Sequence, residues 1–193
     1  MRAARAVRAT FDQRYRYAHV LRVARLAERL AAVHGIDPLR ARLAGLFHDL
    51  ARLYSTERLL RECTERGLEI CAFERANPIV LHARLGAELA RERFGIDDPG
   101  VLSAIRKHTV ADGVMSPLDA VVYLADGLEP GRAFPERPTL VALAFRDLDG
   151  AMRALLLSTI AYLNARGLTV APQTLAAARR YGITASAQER NPA

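Results

Sequence analysis

The sequence predicts an all-α protein built as a single helical domain, on three observations. Apolar residues recur at helical spacing through most of its 193 residues. Four dipeptides, Asp37-Pro38, Asn77-Pro78, Asp98-Pro99 and Ser116-Pro117, put a short polar side chain before a proline. The polar group can cap free backbone N–H groups, and proline at the first helical position has no N–H to leave unpaired. Strand-like sequence is confined to Leu168-Thr169-Val170.

The elements follow in order. A first helix carries Val20, Val23, Ala27, Leu30 and Ala31 on one stripe and stops at Gly35; a second, behind Asp37-Pro38, carries Leu43, Leu46, Phe47 and Leu50. A third covers residues 56–66 before Gly67, and a fourth covers 79–94 before Gly95. Residues 99–108, 117–128 and 148–166 come next, the last of these closed by Gly167, and a short final helix runs from Pro172 to near Gly182. Glycine at such ends accepts the left-handed conformation that terminates a helix. Residues 129–139, with three prolines and a glycine, read as an irregular connection. The domain is expected over 11–184, with 1–10 and 185–193 as flexible ends.

Composition narrows the class. The 51% hydrophobic and 25% charged content is that of an ordinary globular chain. No apolar run approaches the roughly 18 residues of a membrane span, and the basic N-terminal stretch lacks the apolar core of a secretory signal. A cytoplasmic location is the expectation, with Cys63 and Cys71 as two buried or half-buried thiols rather than a disulfide framework. The net charge of +7 rests on arginine, since Lys107 is the only lysine. Arginine for lysine, with abundant Ala and Leu, is what a GC-rich genome produces. Arg2, Arg5 and Arg8 offer contacts to RNA, but with aromatics at 6% and no nucleic-acid motif, nucleic acid is not the expected partner.

Chemistry concentrates where the core should be. His19 shares the apolar stripe of the first helix, His48-Asp49 sits in the apolar run 43–50, His82 is in line with Leu85, Gly86 and Leu89, and Asp126 is in line with Val122 and Tyr123. His108 ends its helix and precedes Thr109. An unpaired buried carboxylate costs several kcal/mol. Imidazoles and carboxylates from facing helices resolve that cost together by holding a divalent cation. His34, next to Gly35, is instead a structural histidine at a helix C-terminus.

The order His19, His48-Asp49, Asp126 resembles the HD superfamily of metal-dependent phosphohydrolases. More narrowly, the chain resembles the bacterial YqeK-type HD proteins, which are symmetrical diadenosine tetraphosphate hydrolases. The likeness rests on residues 16–19, 45–51, 81–87, 104–109 and 115–132, including His108-Thr109 and Ala125-Asp126-x-x-Glu129-Pro130-x-Arg132. It implies an HD-domain helical bundle with iron, or manganese, cobalt or magnesium, held by His19, His48, Asp49 and Asp126. It further implies nucleotide contacts from Arg16, His82, His108, Thr109, Arg132, Pro172 and Thr174, and a homodimer. Asp49, His82 and His108 carry the catalytic expectation. The reaction implied is cleavage of diadenosine tetraphosphate into two ADP. The alternatives are an HD hydrolase for another mono-, tri- or cyclic dinucleotide, or a non-catalytic nucleotide or RNA binder. Arg52, Ala111, Asp112 and Gly127 depart from the family pattern. A lysine commonly stands at Arg52, a Gly-Arg loop near Ala111 and Asp112, and a tyrosine at Gly127.

Overall fold

The structure, a computed structural model, describes Arg8 and residues 13–184. The expected flexible ends, 1–10 and 185–193, lie outside the described residues apart from Arg8. Along the chain come α1 (Arg14–Val33), α2 (Pro38–Phe47), α3 (Thr56–Glu65), α4 (Ala72–Ala76) and a 3-10 turn (Pro78–Val80). After these follow α5 (Leu81–Phe94), α6 (Pro99–Lys107), α7 (Pro117–Leu128), α8 (Arg137–Ala144), α9 (Leu148–Ala165) and α10 (Pro172–Arg180). No strand occurs among the described residues, so the all-α expectation stands.

Local chemistry sets most boundaries. Asp37 and Asp98 each accept two backbone N–H groups at the starts of α2 and α6, and Ser116 and Asp119 form a reciprocal capping box at α7. Gly35, Gly67, Gly95 and Gly167 take φ between 65° and 67°, the left-handed stop expected of them.

Four local expectations need correction. Asn77 makes no side-chain cap; its amide donates back to Phe73 O at 3.0 Å, because Asn77 also closes α4, and Pro78 opens a 3-10 turn. Helix α8 begins inside the span read as irregular, since Arg137 Nε donates to the carbonyls of Leu128 and Glu129 and Pro138 occupies its first turn. Leu168-Thr169-Val170 forms no strand; Leu168 N bonds to Leu163 O at 2.9 Å and closes α9. Cys63 is buried as expected, but Cys71 is exposed.

The core gathers around α1 and α7. Val20, Val23, Ala27, Leu30 and Ala31 are buried on α1, and Val121, Val122, Leu124 and Leu128 on α7. Phe47, Leu85, Leu89, Ile105 and Leu156 are also fully buried; each contributes about 1.5–3 kcal/mol relative to exposure. Two glycines set the close approaches that matter for the site. A Cβ on Gly45 would lie 2.8 Å from Ala24 Cα, and one on Gly86 would lie 3.3 Å from His48 O. The backbones of α1, α2 and α5 therefore meet where His19, His48 and His82 project.

Candidate active site

His19 comes from α1, His48 and Asp49 from the C-terminal end of α2, His82 from the first turn of α5, and Asp126 from the last turn of α7. His108 closes α6. All but Asp126 are buried; the Asp126 side chain is 19% exposed and opens the cluster to solvent.

The tautomers follow from the partners. His48 and His108 donate Nδ1–H to the carbonyls of Gly45 and Ile105, at 2.7 and 2.8 Å, and His82 donates likewise to Ile79. A carbonyl cannot donate, so Nδ1 carries a proton in each ring and Nε2 is the atom that faces inward. His19 Nδ1 points at Glu129 Oε1, 3.0 Å away, which leaves its Nε2 facing the cluster as well.

Those inward atoms converge. His19 Nε2 lies 3.3 Å from His48 Nε2, 3.1 Å from Asp126 Oδ1 and 3.6 Å from Asp49 Oδ2. His48 Nε2 lies 3.5 Å from Asp49 Oδ2 and 3.9 Å from Asp126 Oδ1. Donors sharing one ion through bonds of about 2.1 Å sit about 3.0–3.4 Å apart, close to these separations. Imidazole lone pairs and carboxylates aimed at one point repel unless a proton or a metal cation lies among them. The donor set therefore fits a divalent metal.

Asp49 joins two halves of the site. Its Oδ2 faces His19 and His48 and accepts from Arg16 at 3.1 Å. Its Oδ1 faces His82 Nε2 at 3.3 Å and His108 Nε2 at 3.8 Å. The Nε2 atoms of His82 and His108 are 3.1 Å apart, and Thr109 Oγ1 lies 3.2 and 3.0 Å from them. One hydroxyl hydrogen cannot serve both nitrogens, so this half has unmet capacity for a polar ligand.

Electrostatics agree with that division. Burial pushes the Asp49 and Asp126 carboxyls up, but the surrounding imidazoles outweigh it and hold both well below the ordinary range. Burial opposes protonation of His19, yet Asp126, Glu129 and Asp49 together raise its pKa. Burial, then the neighbouring His48 and His82, push His108 down to about 3, so it is neutral near pH 7.

The remaining expected residues surround this centre. Arg132, 43% exposed, donates to Asp126 Oδ1 at 2.6 Å and to its backbone carbonyl at 3.0 Å. Arg16 is held against Asp49. Pro172 is exposed at the start of α10, whereas buried Thr174 donates to Val110 O at 2.8 Å and braces the chain after Thr109. Ala111 sits there at φ 59°, a strained value for a residue with a side chain. Asp112 accepts Val114 N–H at 2.9 Å within its own turn. Leu155 packs over Gly127, where a Cβ would come within 2.7 Å of its Cδ2. His34 closes α1 as expected of a structural histidine, and its Nε2 lies 2.7 Å from Ala144 O of α8.

Sequence reasoning gave Glu129 no role. Buried at 2% exposure, it receives His19 Nδ1–H, two N–H groups of Arg22, and Gly131 N–H at 2.6 Å. Burial raises its pKa, but Arg22, His19 and the backbone bring it down to about 2. A signal existed: Arg22 stands three residues after His19, and Glu129 three after Asp126, spacings that share a helix face.

Comparison with known proteins places these residues in context. A family model described as the HD domain matches residues 16–131. The chain is 37% identical over 166 residues to a symmetrical bis(5'-nucleosyl)-tetraphosphatase of Halalkalibacterium halodurans, covering 84% of this chain and 86% of that protein. It is 33% identical over 160 residues to the enzyme of the same name from Bacillus subtilis, covering 83% and 86%. Among solved structures, a predicted HD superfamily hydrolase involved in NAD metabolism from Clostridium acetobutylicum superimposes with a TM-score of 0.89. That protein is 33% identical, and the match covers 93% of this chain and 95% of the other.

Proposed function

The chain belongs to the HD-domain family, and we propose that it hydrolyses diadenosine tetraphosphate at the central bridge, releasing two ADP. The convergence of His19, His48 and Asp126, with Asp49 beside His19 and His48, supports the metal-dependent part of this reading; His48, Asp49 and His108 form a second, overlapping group. The substrate comes from the two tetraphosphatases, which align over more than four fifths of both chains.

Those four residues would hold the metal, which the resemblance to the YqeK-type proteins suggests is iron. Manganese, cobalt and magnesium are the alternatives that elemental analysis distinguishes. A divalent ion at this position supplies positive charge against phosphoryl oxygens and makes adjacent water a stronger acid. Residues of the chain do the rest. Arg132 and Arg16, already placed against Asp126 and Asp49, orient the phosphates through guanidinium N–H groups. His82, His108 and Thr109 form a proton-sharing cluster beside Asp49 Oδ1. There the Thr109 hydroxyl would donate to a phosphoryl oxygen, and His82 would deliver a proton from Nε2 to the departing phosphate while neutral His108 orients it. Thr174 braces the Val110 carbonyl, and with Pro172 it would contact the nucleotide, as the resemblance implies. The domain carrying these residues is taken as 11–184. Cytoplasmic residence and a homodimer belong to the same reading; fractionation and light scattering test them.

The decisive experiment combines elemental analysis with chromatography of nucleotide products. Wild-type protein should carry metal and yield ADP alone, while Asp49→Ala should lose both metal and turnover with its helical circular dichroism retained. Release of ATP and AMP would replace symmetrical cleavage by another HD chemistry, and a metal-loaded, fully active Asp49→Ala protein would overturn the site assignment.

A further inference from the structure

A substrate cut at its central bridge has a nucleoside on each side of the reacting phosphates, so the protein needs a recess on each side of the metal cluster. Two concave features flank it. Beside His108 and Thr109 lies a cleft of about 230 Å³, lined by Lys107, Val110, Ala111 and Gln173 together with charged side chains. A groove of about 910 Å³, lined by Gly127 and Arg132, lies between the segment after α7 and α9.

We propose that this groove receives one nucleoside half of the dinucleotide, base first, with Arg132 holding the adjoining phosphates. The inference rests on the proposed dinucleotide hydrolysis and adds where the nucleoside lies. Three observations carry it. First, the groove shares Arg132 with the reacting centre. Gly127 directly follows Asp126, and Arg132, at the groove's mouth, donates to Asp126 Oδ1 at 2.6 Å. Second, the walls suit a flat aromatic base. Phe134 and Tyr162 are lining aromatics and Leu155 and Ala161 supply apolar surface, while Ser158 offers a hydroxyl for base edges or ribose. Tyr162 is 55% exposed and the Arg166 guanidinium stands 4.7 Å from its ring centroid, so one face is already used as a stacking surface. Third, the local packing keeps the groove open at its inner end. Leu155 covers Gly127 at a distance that leaves no room for a side chain there, and any larger residue at 127 would drive Leu155 into the groove. The other cleft is smaller and walled by charges that are mutually paired, such as Arg84 with Glu74 at 2.8 Å, which suits phosphate or ribose better than an uncharged base.

Ala161→Trp fills the groove from an exposed position, and Tyr162→Ala removes its exposed aromatic wall. Both are measured on metal-loaded protein with diadenosine tetraphosphate, with ADP in calorimetry, and with inorganic tripolyphosphate, which has no nucleoside. The expected result is about a tenfold rise in KM for the dinucleotide in either variant, the effect of losing one base–aromatic contact. Tripolyphosphate hydrolysis should be unchanged, and ADP stoichiometry should fall from two per chain in the wild type to one in Ala161→Trp. Unchanged KM with two ADP still bound by Ala161→Trp would overturn the groove assignment, as would a single ADP per chain in the wild type. Conversion of a dimer to a monomer by Ala161→Trp, seen by light scattering with KM unaltered, would also overturn it by giving the groove to a second copy. Failure of the wild type to cleave the dinucleotide while still hydrolysing tripolyphosphate would instead sink the parent reading.

Discussion

Replacing Glu129 by glutamine keeps the side chain's shape but removes the charge that three partners share. In the wild-type protein the carboxylate accepts from His19 Nδ1 at 3.0 Å, from two nitrogens of Arg22, and from Gly131 N at 2.6 Å. An amide has a single oxygen, and its NH2 group must face donors that have nothing to accept with. The depression of Glu129 from 4.5 to about 2 corresponds to about 3 kcal/mol of preferential interaction with the charged form. Because Glu129 is buried, little of that is lost to solvent screening. Glu129→Gln should therefore lower unfolding free energy by about 2–3 kcal/mol. It should also weaken metal binding by about 10–100-fold, the usual effect of removing the group that orients a ligating imidazole. The assay is competition with a chromogenic chelator across pH, alongside denaturant unfolding of metal-free protein. Glu129 helps raise the His19 pKa, so the pH at which the proton displaces metal from His19 should move down in the variant. A Glu129→Gln protein with wild-type affinity, and the same midpoint of metal loss, would refute the idea that Glu129 positions His19.

Three further outcomes are expected. Gly45→Ala pushes a Cβ to 2.8 Å from Ala24 Cα, so α1 and α2 must separate; denaturant unfolding should register a loss of about 1–3 kcal/mol, with metal affinity falling as His19 and His48 part. His108→Ala should retain metal by elemental analysis yet lose about 10²–10⁴-fold in turnover, the range for disabling acid catalysis, because His82 loses the Nε2 partner 3.1 Å away that orients its proton; loss of metal instead would make His108 a ligand. Metal-free protein should lose stability progressively as pH falls below about 6.5. Unfolded His108 takes a proton there while the folded one resists to about 3. Glu129, with its depressed pKa, stabilises the fold above 4.5 and loses that contribution as pH falls toward about 2, so thermal unfolding at pH 3 should come well below that at pH 7.

What the sequence determined by itself is the set of elements and the identity of the chemical groups. Asp37, Asp98 and Ser116 cap their helices through bonds to residues two or three positions away, and the glycine stops are properties of single residues, so both are legible locally. His19, His48, Asp49 and Asp126 stand out for the same reason: polar groups on apolar stripes violate a local pattern. Helix α4 escaped because five residues are too few for a period. Helix α8 escaped because its start depends on carbonyls of Leu128 and Glu129 presented by another segment.

Only the tertiary structure decided how those groups divide the work. No spacing reveals that Asp49 turns one oxygen to His19 and His48 and the other to His82 and His108. The role of Glu129 is equally non-local: it reaches across 110 positions to His19, and Arg22 reaches it from α1. The same holds for Thr174, whose hydroxyl secures Val110 from 64 residues away. The physical reason is that a hydrogen bond's direction is fixed by the backbones that carry it, and those are brought together here by the packing of α1, α2, α5 and α7, which no single segment specifies.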